Sequence, residues 1–214
     1  MLYAPRIAHA KLYGVERPLK FILPAYLLIY FFTAFFWRSY KVWKTTGINP
    51  FVLGSTDSAH DFIGRMFKVV FALIVAAVIA YSSSSTIYEY LMPFTWIQHS
   101  GFKIVGMTLL ATSLVWTLVA QSQMGKSWRI GIDVQHRTKL VREGAFRFSR
   151  NPIFLGMIAT IIGLFLIIPN ALTLVVLALG IVLIQIQVRL EEDYLKAVHG
   201  EHYIEYCRNV RRWL

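Results

Sequence analysis

The chain has 214 residues, of which 57% are hydrophobic and only 15% charged, with a mean hydropathy of +0.54 and a formal net charge of +11. An average soluble domain is about 45–50% apolar and roughly a quarter charged, so this composition excludes an ordinary soluble fold and points to an integral membrane protein. The basic excess is spread over three membrane-adjacent segments without any nucleic-acid motif; it fits anionic headgroups and excludes nucleic acid as a partner.

In chain order, Met1–Lys20 is polar, carries Pro5 and Pro18, and lacks the unbroken apolar core of a secretory signal. The first predicted span is Phe21–Trp37, followed by a connection with Arg38, Lys41 and Lys44. The second is Phe62–Tyr81, with Arg65 and Lys68 near its start, and Ser82–Ser100 then contains no lysine or arginine before it reaches Ile104–Ala120, the third. A connection bearing Lys126, Arg129, Arg137, Lys139, Arg142, Arg147 and Arg150 leads to the fourth span, Ile153–Ile168, joined only by Pro169-Asn170 to the fifth, Ala171–Val188. The runs are continuous rather than alternating, and a backbone in lipid must satisfy its own hydrogen bonds, so all are read as helices. A full crossing takes about 20 apolar residues; the fourth and fifth, with 16 residues and a 14-residue apolar core, are expected to fall short. Tyr26, Tyr30, Trp37, Tyr40, Trp43 and Tyr81 lie near the expected interfaces. Leu190, Tyr194, Leu195, Val198 and Tyr203 recur at helical spacing, so an amphipathic C-terminal helix is expected to fold back on the bundle.

The fold expected is therefore all-α: a polytopic bundle of about five transmembrane helices with a cytoplasmic amphipathic C-terminal helix. It forms one domain over residues 1–214, with three spans in 1–123 and a loop, helical hairpin and tail in 124–214. The single cysteine, Cys207, excludes an intrachain disulfide framework. The positive-inside rule places the long basic connection and the C-terminus in the cytoplasm. With five spans the N-terminus then lies opposite, although it carries Arg6, Lys11, Arg17 and Lys20. Either it is translocated with that charge or the first span does not cross.

Chemistry-bearing residues gather at the ends of the hairpin. Gly144 supplies a turn, Asn151 is suited to cap a helix, and Pro152 fits its first position. The free N–H groups of that first turn, with Arg150 beside them, make a natural anion site. The plain alternative is a capped helix with Arg150 snorkelling to lipid phosphate. Glu191-Glu192-Asp193 follow the apolar run and can accept hydrogen bonds from ribose hydroxyls; otherwise they form a solvated cluster neutralised by Arg189 and Lys196. His199 and His202 have an i, i+3 spacing but no matching ligand set elsewhere, so no metal site is expected.

From about Met124 to Arg212 the chain resembles the isoprenylcysteine carboxyl methyltransferases and their phospholipid methyltransferase relatives. The segments that carry the resemblance are Leu140-Val141-Arg142-Glu143-Gly144-Ala145-Phe146, Arg150-Asn151-Pro152-Ile153-Phe154-Leu155-Gly156, Glu191-Glu192 and Gly200-Glu201-His202-Tyr203-Ile204-Glu205-Tyr206. The family's usual histidine is Asn151 here, and its tyrosines are Phe146 and Phe154; Asn151 can hydrogen-bond but cannot titrate near neutrality. The resemblance implies an integral membrane methyltransferase that uses S-adenosylmethionine on a lipophilic or lipidated acceptor entering from the bilayer, with membrane lipids as its other partners. It implies a cofactor site of Gly144, Arg150, Asn151, Pro152, Gly156, Glu191, Glu192, Tyr203 and Tyr206, with Arg150 and Glu192 as the catalytic pair. An NADPH-dependent membrane sterol-type reductase, which carries a similar Arg-His-Pro hairpin, and a non-enzymatic membrane protein are the competing readings.

Overall fold

The computed structural model describes residues 6–50, 58–131 and 139–214, and within the first helix the side chains from Arg17 onward. Pro5 and Arg137, which entered the reading of the sequence, lie outside the described residues. The regular structure of the described residues is all helical: α1 (Arg6–Phe31), a π-helical turn (Phe32–Trp37), α2 (Arg38–Thr46), α3 (Ala59–Ser83), the short α4 (Ser85–Glu89), α5 (Ser100–Met124), α6 (Pro152–Ile167), α7 (Ala171–His199) and α8 (Glu201–Asn209), with short 3-10 turns between them. Four stretches, within Arg17–Thr46, Ala59–Ser83, Ser100–Ser127 and Ala171–His199, are long and apolar enough to cross a membrane, and α6 is a shorter apolar helix. The polytopic helical bundle expected from the sequence is the architecture found.

The shortness expected of the fifth span is corrected. α7 runs as one helix of 29 residues past Glu191-Glu192 to His199. Between Val188 and His199 there is no glycine or proline, and leucine, glutamate, lysine and alanine favour a helix, so nothing stops it at the membrane edge. The break comes at Gly200, whose φ of +55° suits glycine best. The expected amphipathic tail is thus divided, with Leu190–Val198 extending α7 and only α8 folding back.

α1 and α2 traverse the bundle from end to end. Leu19 and Leu23 pack with Tyr81, Tyr88, Ile167 and Ile168 at one end, while the Arg38 guanidinium donates to the Gly125 carbonyl (2.8 Å) at the other. The first stretch is therefore long and apolar enough to cross, and the described start of α1 lies at the end opposite Arg38. That end also holds both connections free of lysine and arginine. The Pro169-Asn170 turn is sealed there by the α3–α5 connection, with Phe94 N–H donating to Pro169 O (2.9 Å) and Ala171 N–H to Leu91 O (3.0 Å). Asn170 is fully buried and closes a capping box with Thr173, their side chains accepting from each other's backbone at 2.9 and 3.1 Å.

α5 and α6 form the tightest helix pair, antiparallel, through small residues. A Cβ on Gly106 would lie 2.6 Å from Ile167 Cγ1 and 2.7 Å from the Gly163 carbonyl oxygen, and a Cβ on Gly156 would collide with Thr117. Ser113 and Thr160 hydroxyls meet at 2.9 Å across the same seam. Lipid tails are as apolar as leucine, so close backbone approach and interhelical hydrogen bonds, rather than burial alone, hold such a pair. Gly106→Val should lower stability by about 1–3 kcal/mol, because a backbone carbonyl cannot move out of the way. The thermal midpoint of the purified protein in detergent checks this, and an unchanged midpoint would contradict the close approach.

Candidate functional site

The start of α6, the end of α7 and the C-terminal tail meet at the basic end of the bundle. α6 begins at Pro152, which needs no hydrogen-bond acceptor for its nitrogen. Trp116 on α5 donates its indole N–H to the Pro152 carbonyl (2.8 Å), which fixes the height of that first turn against α5. Asn151 stands at the N-cap position but makes no side-chain cap. Its amide instead donates to Glu192 Oε1 (3.2 Å) and to the Arg212 carbonyl (3.3 Å), and its backbone N–H donates to Ser149 Oγ (3.1 Å). The capping role expected of Asn151 is corrected: its Nδ2 is directed to Glu192 and to the Arg212 carbonyl, and its Oδ1 accepts from none of the first-turn N–H groups.

Glu192 is the hub. Its Oε1 accepts from Arg150 Nη2 (3.1 Å), Asn151 Nδ2 and Arg212 Nε (3.1 Å), and its Oε2 from Arg212 Nη2 (2.8 Å). Only 11% of the Arg150 side chain and 12% of the Glu192 side chain remain exposed, against 35% of Arg212. Arg150 therefore does not snorkel. Its Nη1 donates to the carbonyls of Cys207 (3.2 Å) and Val210 (3.3 Å), and its backbone N–H to Arg211 O (3.0 Å). Two guanidiniums face one carboxylate, which leaves the cluster with one net positive charge. Arg150 Nε is buried with no acceptor among the described residues.

The other expected residues divide. Tyr203 and Tyr206 are buried on α8, and Tyr206 donates its hydroxyl to the Phe146 carbonyl (2.6 Å), tying α8 to the turn before α6. Burial, and after it the nearby Glu192 carboxylate, pushes the Tyr203 phenol far up; burial pushes Tyr206 up to about 12. Both stay protonated at neutral pH and act as packing and hydrogen-bonding groups. Glu191 is not in the cluster. Adjacent helical residues point about 100° apart, and Glu191 instead accepts from Gln187 Nε2 (2.8 Å). Gly144 and Gly156 shape the framework. Gly144 has φ +63°, and a Cβ there would strike the Gln123 amide, whose oxygen accepts from Ala145 N–H (2.7 Å).

Sequence reasoning missed Arg212, Ser149, Gln123 and Trp116 as parts of the site. Arg212 was visible only as one basic residue among several near the C-terminus. Ser149, fully buried, donates to the Arg212 carbonyl (3.2 Å), and nothing local marks it out.

The fold and this cluster define a polytopic helical membrane protein whose polar contacts converge on one end of the bundle, where the hairpin, the turn before it and the tail meet. A family model described as phospholipid methyltransferase matches residues 102–202, which covers α5, α6, α7 and the start of α8. Over that segment the chain is similar to the phospholipid methyltransferases, a family whose activity is methyl transfer in general. A search of curated proteins finds no match.

Glu192→Gln should destabilise the protein by about 3 kcal/mol, because it leaves the Arg150 guanidinium buried beside a neutral amide. Arg212→Ala should cost under about 1 kcal/mol, since its partner keeps Arg150 and Asn151 and the lost pair is partly solvated. Unfolding of both variants in mixed detergent micelles checks the order, and equal losses would show that Arg212 rather than Arg150 is the main partner.

Proposed function

We propose that this protein transfers a methyl group from S-adenosylmethionine to a lipophilic acceptor drawn from the bilayer. The observation that supports the reading best is the convergence of Arg150, Asn151 and Glu192, two motifs some forty residues apart in sequence, inside the segment that matches the family. The residues also fit the cofactor. Arg150 Nε is a buried donor that lacks an acceptor, the cluster carries one surplus positive charge, and a carboxylate such as that of the cofactor's amino-acid portion would satisfy both.

When bound, S-adenosylmethionine supplies an electrophilic methyl group on a sulfonium sulfur. Arg150 and Asn151 hold the cofactor's polar portion, and Pro152 fixes the turn that presents them. Gly156 keeps α6 against α5, while Tyr203 and Tyr206 close the site from α8. Glu192 keeps Arg150 and Asn151 in place and accepts a ribose hydroxyl if Arg212 withdraws. Most of the catalysis then comes from holding the acceptor in line and dry. A carboxylate acceptor needs no base. An amine, phenol or thiol does, and there Glu191 is the better proton acceptor, because both oxygens of Glu192 are engaged.

Calorimetric titration of the detergent-purified protein with S-adenosylhomocysteine should show micromolar binding, with none for NADPH run in parallel. Arg150→Lys, which keeps the charge facing Glu192 but removes the Nε donor, should weaken that binding at least tenfold without loss of fold. NADPH binding alone would overturn the methyltransferase reading, and full affinity in Arg150→Lys would remove the Nε from the site.

The basic end of the bundle is assigned to the cytoplasmic side on its lysine and arginine content. A cysteine at Lys126, introduced with Cys207→Ser, should react with a membrane-impermeant maleimide in inside-out vesicles and be protected in intact cells. The reverse pattern would invert the topology.

A further inference from the structure

Apart from the Glu192 cluster, the basic end has a second polar group without a partner, and it lines a cavity. The π-helical turn Phe32–Trp37 carries one residue more per turn than an α-helix, so it rotates everything after it by about 100°. Thr33 bonds back to the Ile29 carbonyl (2.7 Å) at its start, a contact that loosens the ladder there. The rotation places Phe36, Tyr40 and Trp43 on one outward face, exposed by 59%, 41% and 53%, with Phe32 stacked on Phe36 at 5.6 Å. Gly47, at φ +71°, then reverses the chain, and Ile130 N–H donates to Pro50 O (2.8 Å), holding the returning segment in place.

Between these elements lies a cavity of about 190 Å³ lined by Phe36, Ser39, Tyr40, Trp43, Asn49 and Pro50. Ser39 is only 4% exposed, and its hydroxyl has no hydrogen-bond partner among the described residues. A buried hydroxyl left unpaired is destabilising, so a ligand that bonds it is favoured. Arg38 Nε, one residue away, is another buried donor without an acceptor among the described residues. α2 carries Arg38, Lys41 and Lys44 and no acidic residue, and both lysines are exposed.

An aromatic stripe, unpaired buried donors and a one-signed basic rim ask for a molecule with an apolar chain and an anionic, oxygen-rich head. We infer that this cavity is a binding site for a single anionic phospholipid, its head oxygens bonded to Ser39 and flanked by Lys41 and Lys44, its chain lying along Trp43, Tyr40, Phe36 and Phe32. None of these residues belongs to the Glu192 cluster, so the site stands whether or not the methyltransferase reading does.

The test is native mass spectrometry of the full-length protein in detergent, titrated with phosphatidylglycerol, phosphatidylcholine or inorganic phosphate. One phosphatidylglycerol should bind in clear preference to phosphatidylcholine, and inorganic phosphate should not displace it at matched concentration. Ser39→Ala should weaken that binding about tenfold with an unchanged thermal midpoint, and Trp43→Ala, on the exposed face, should weaken it independently. Equal binding of the two lipids, displacement by phosphate alone, or full affinity in both variants would overturn the site.

Discussion

A carboxylate taken most of the way out of water must find enough donors to replace its hydration, and Glu192 does so by gathering three parts of the chain. Arg150 and Asn151 come from the two positions just before α6, and Arg212 from the segment after α8. Isolated, such a charge would be too costly to keep. Surrounded by four or five donor contacts, it becomes the point from which the positions of α6, α7 and the tail follow. The carbonyls of Cys207, Val210, Arg211 and Arg212 then accept from Arg150, Ser149 and Asn151, so the tail is bound as backbone as well as through a side chain.

That arrangement needs α6 to arrive at the right height, and α5 provides it. The glycine–glycine contact of Gly106 with Gly163 and the Thr117–Gly156 contact set the separation, while the bond from Trp116 to the Pro152 carbonyl sets the register. At the far end the Pro169-Asn170 turn is locked by its own capping box and by the α3–α5 connection. α6, 16 residues long, is thus held at both ends, by the bond from Trp116 at its start and by the Asn170 and Thr173 side chains on the Ile168 carbonyl at its end.

The spans were legible because hydrophobic runs report helices in lipid directly, and the Arg150-Asn151-Pro152 and Glu191-Glu192 motifs were legible because their spacing is unusual. Other features lie in three-dimensional relations that spacing does not encode. The pair Glu191-Glu192 reads as one unit in sequence, yet the helical period sends one carboxylate to Gln187 and the other to Arg150. Asn151 reads as a cap, yet what positions its side chain is the pair of acceptors its Nδ2 meets, on α7 and on the tail. The length of α7 was underestimated because hydropathy was taken as its limit, whereas helix propensity carries the backbone on to Gly200. The π-helical turn had no visible signal beyond Thr33 among aromatics.

The groups on Glu192 are not equally fixed, and this bears on how a ligand reaches it. Arg150 and Asn151 directly precede a helix whose position α5 determines, and moving them would disturb the bundle. Arg212 lies two residues from the chain end as described, its side chain is 35% exposed, and its bonds to Glu192 raise its already high affinity for its proton, so it departs as an intact cation or not at all. An incoming molecule with a cationic group can take Arg212's place on Glu192 without changing the charge balance of the cluster. One that brings only a carboxylate would instead be drawn to the surplus charge and to Arg150 Nε. Any exchange on Glu192 therefore falls on the Arg212 side chain, while the tail backbone stays bound through the carbonyls of Cys207, Val210 and Arg211.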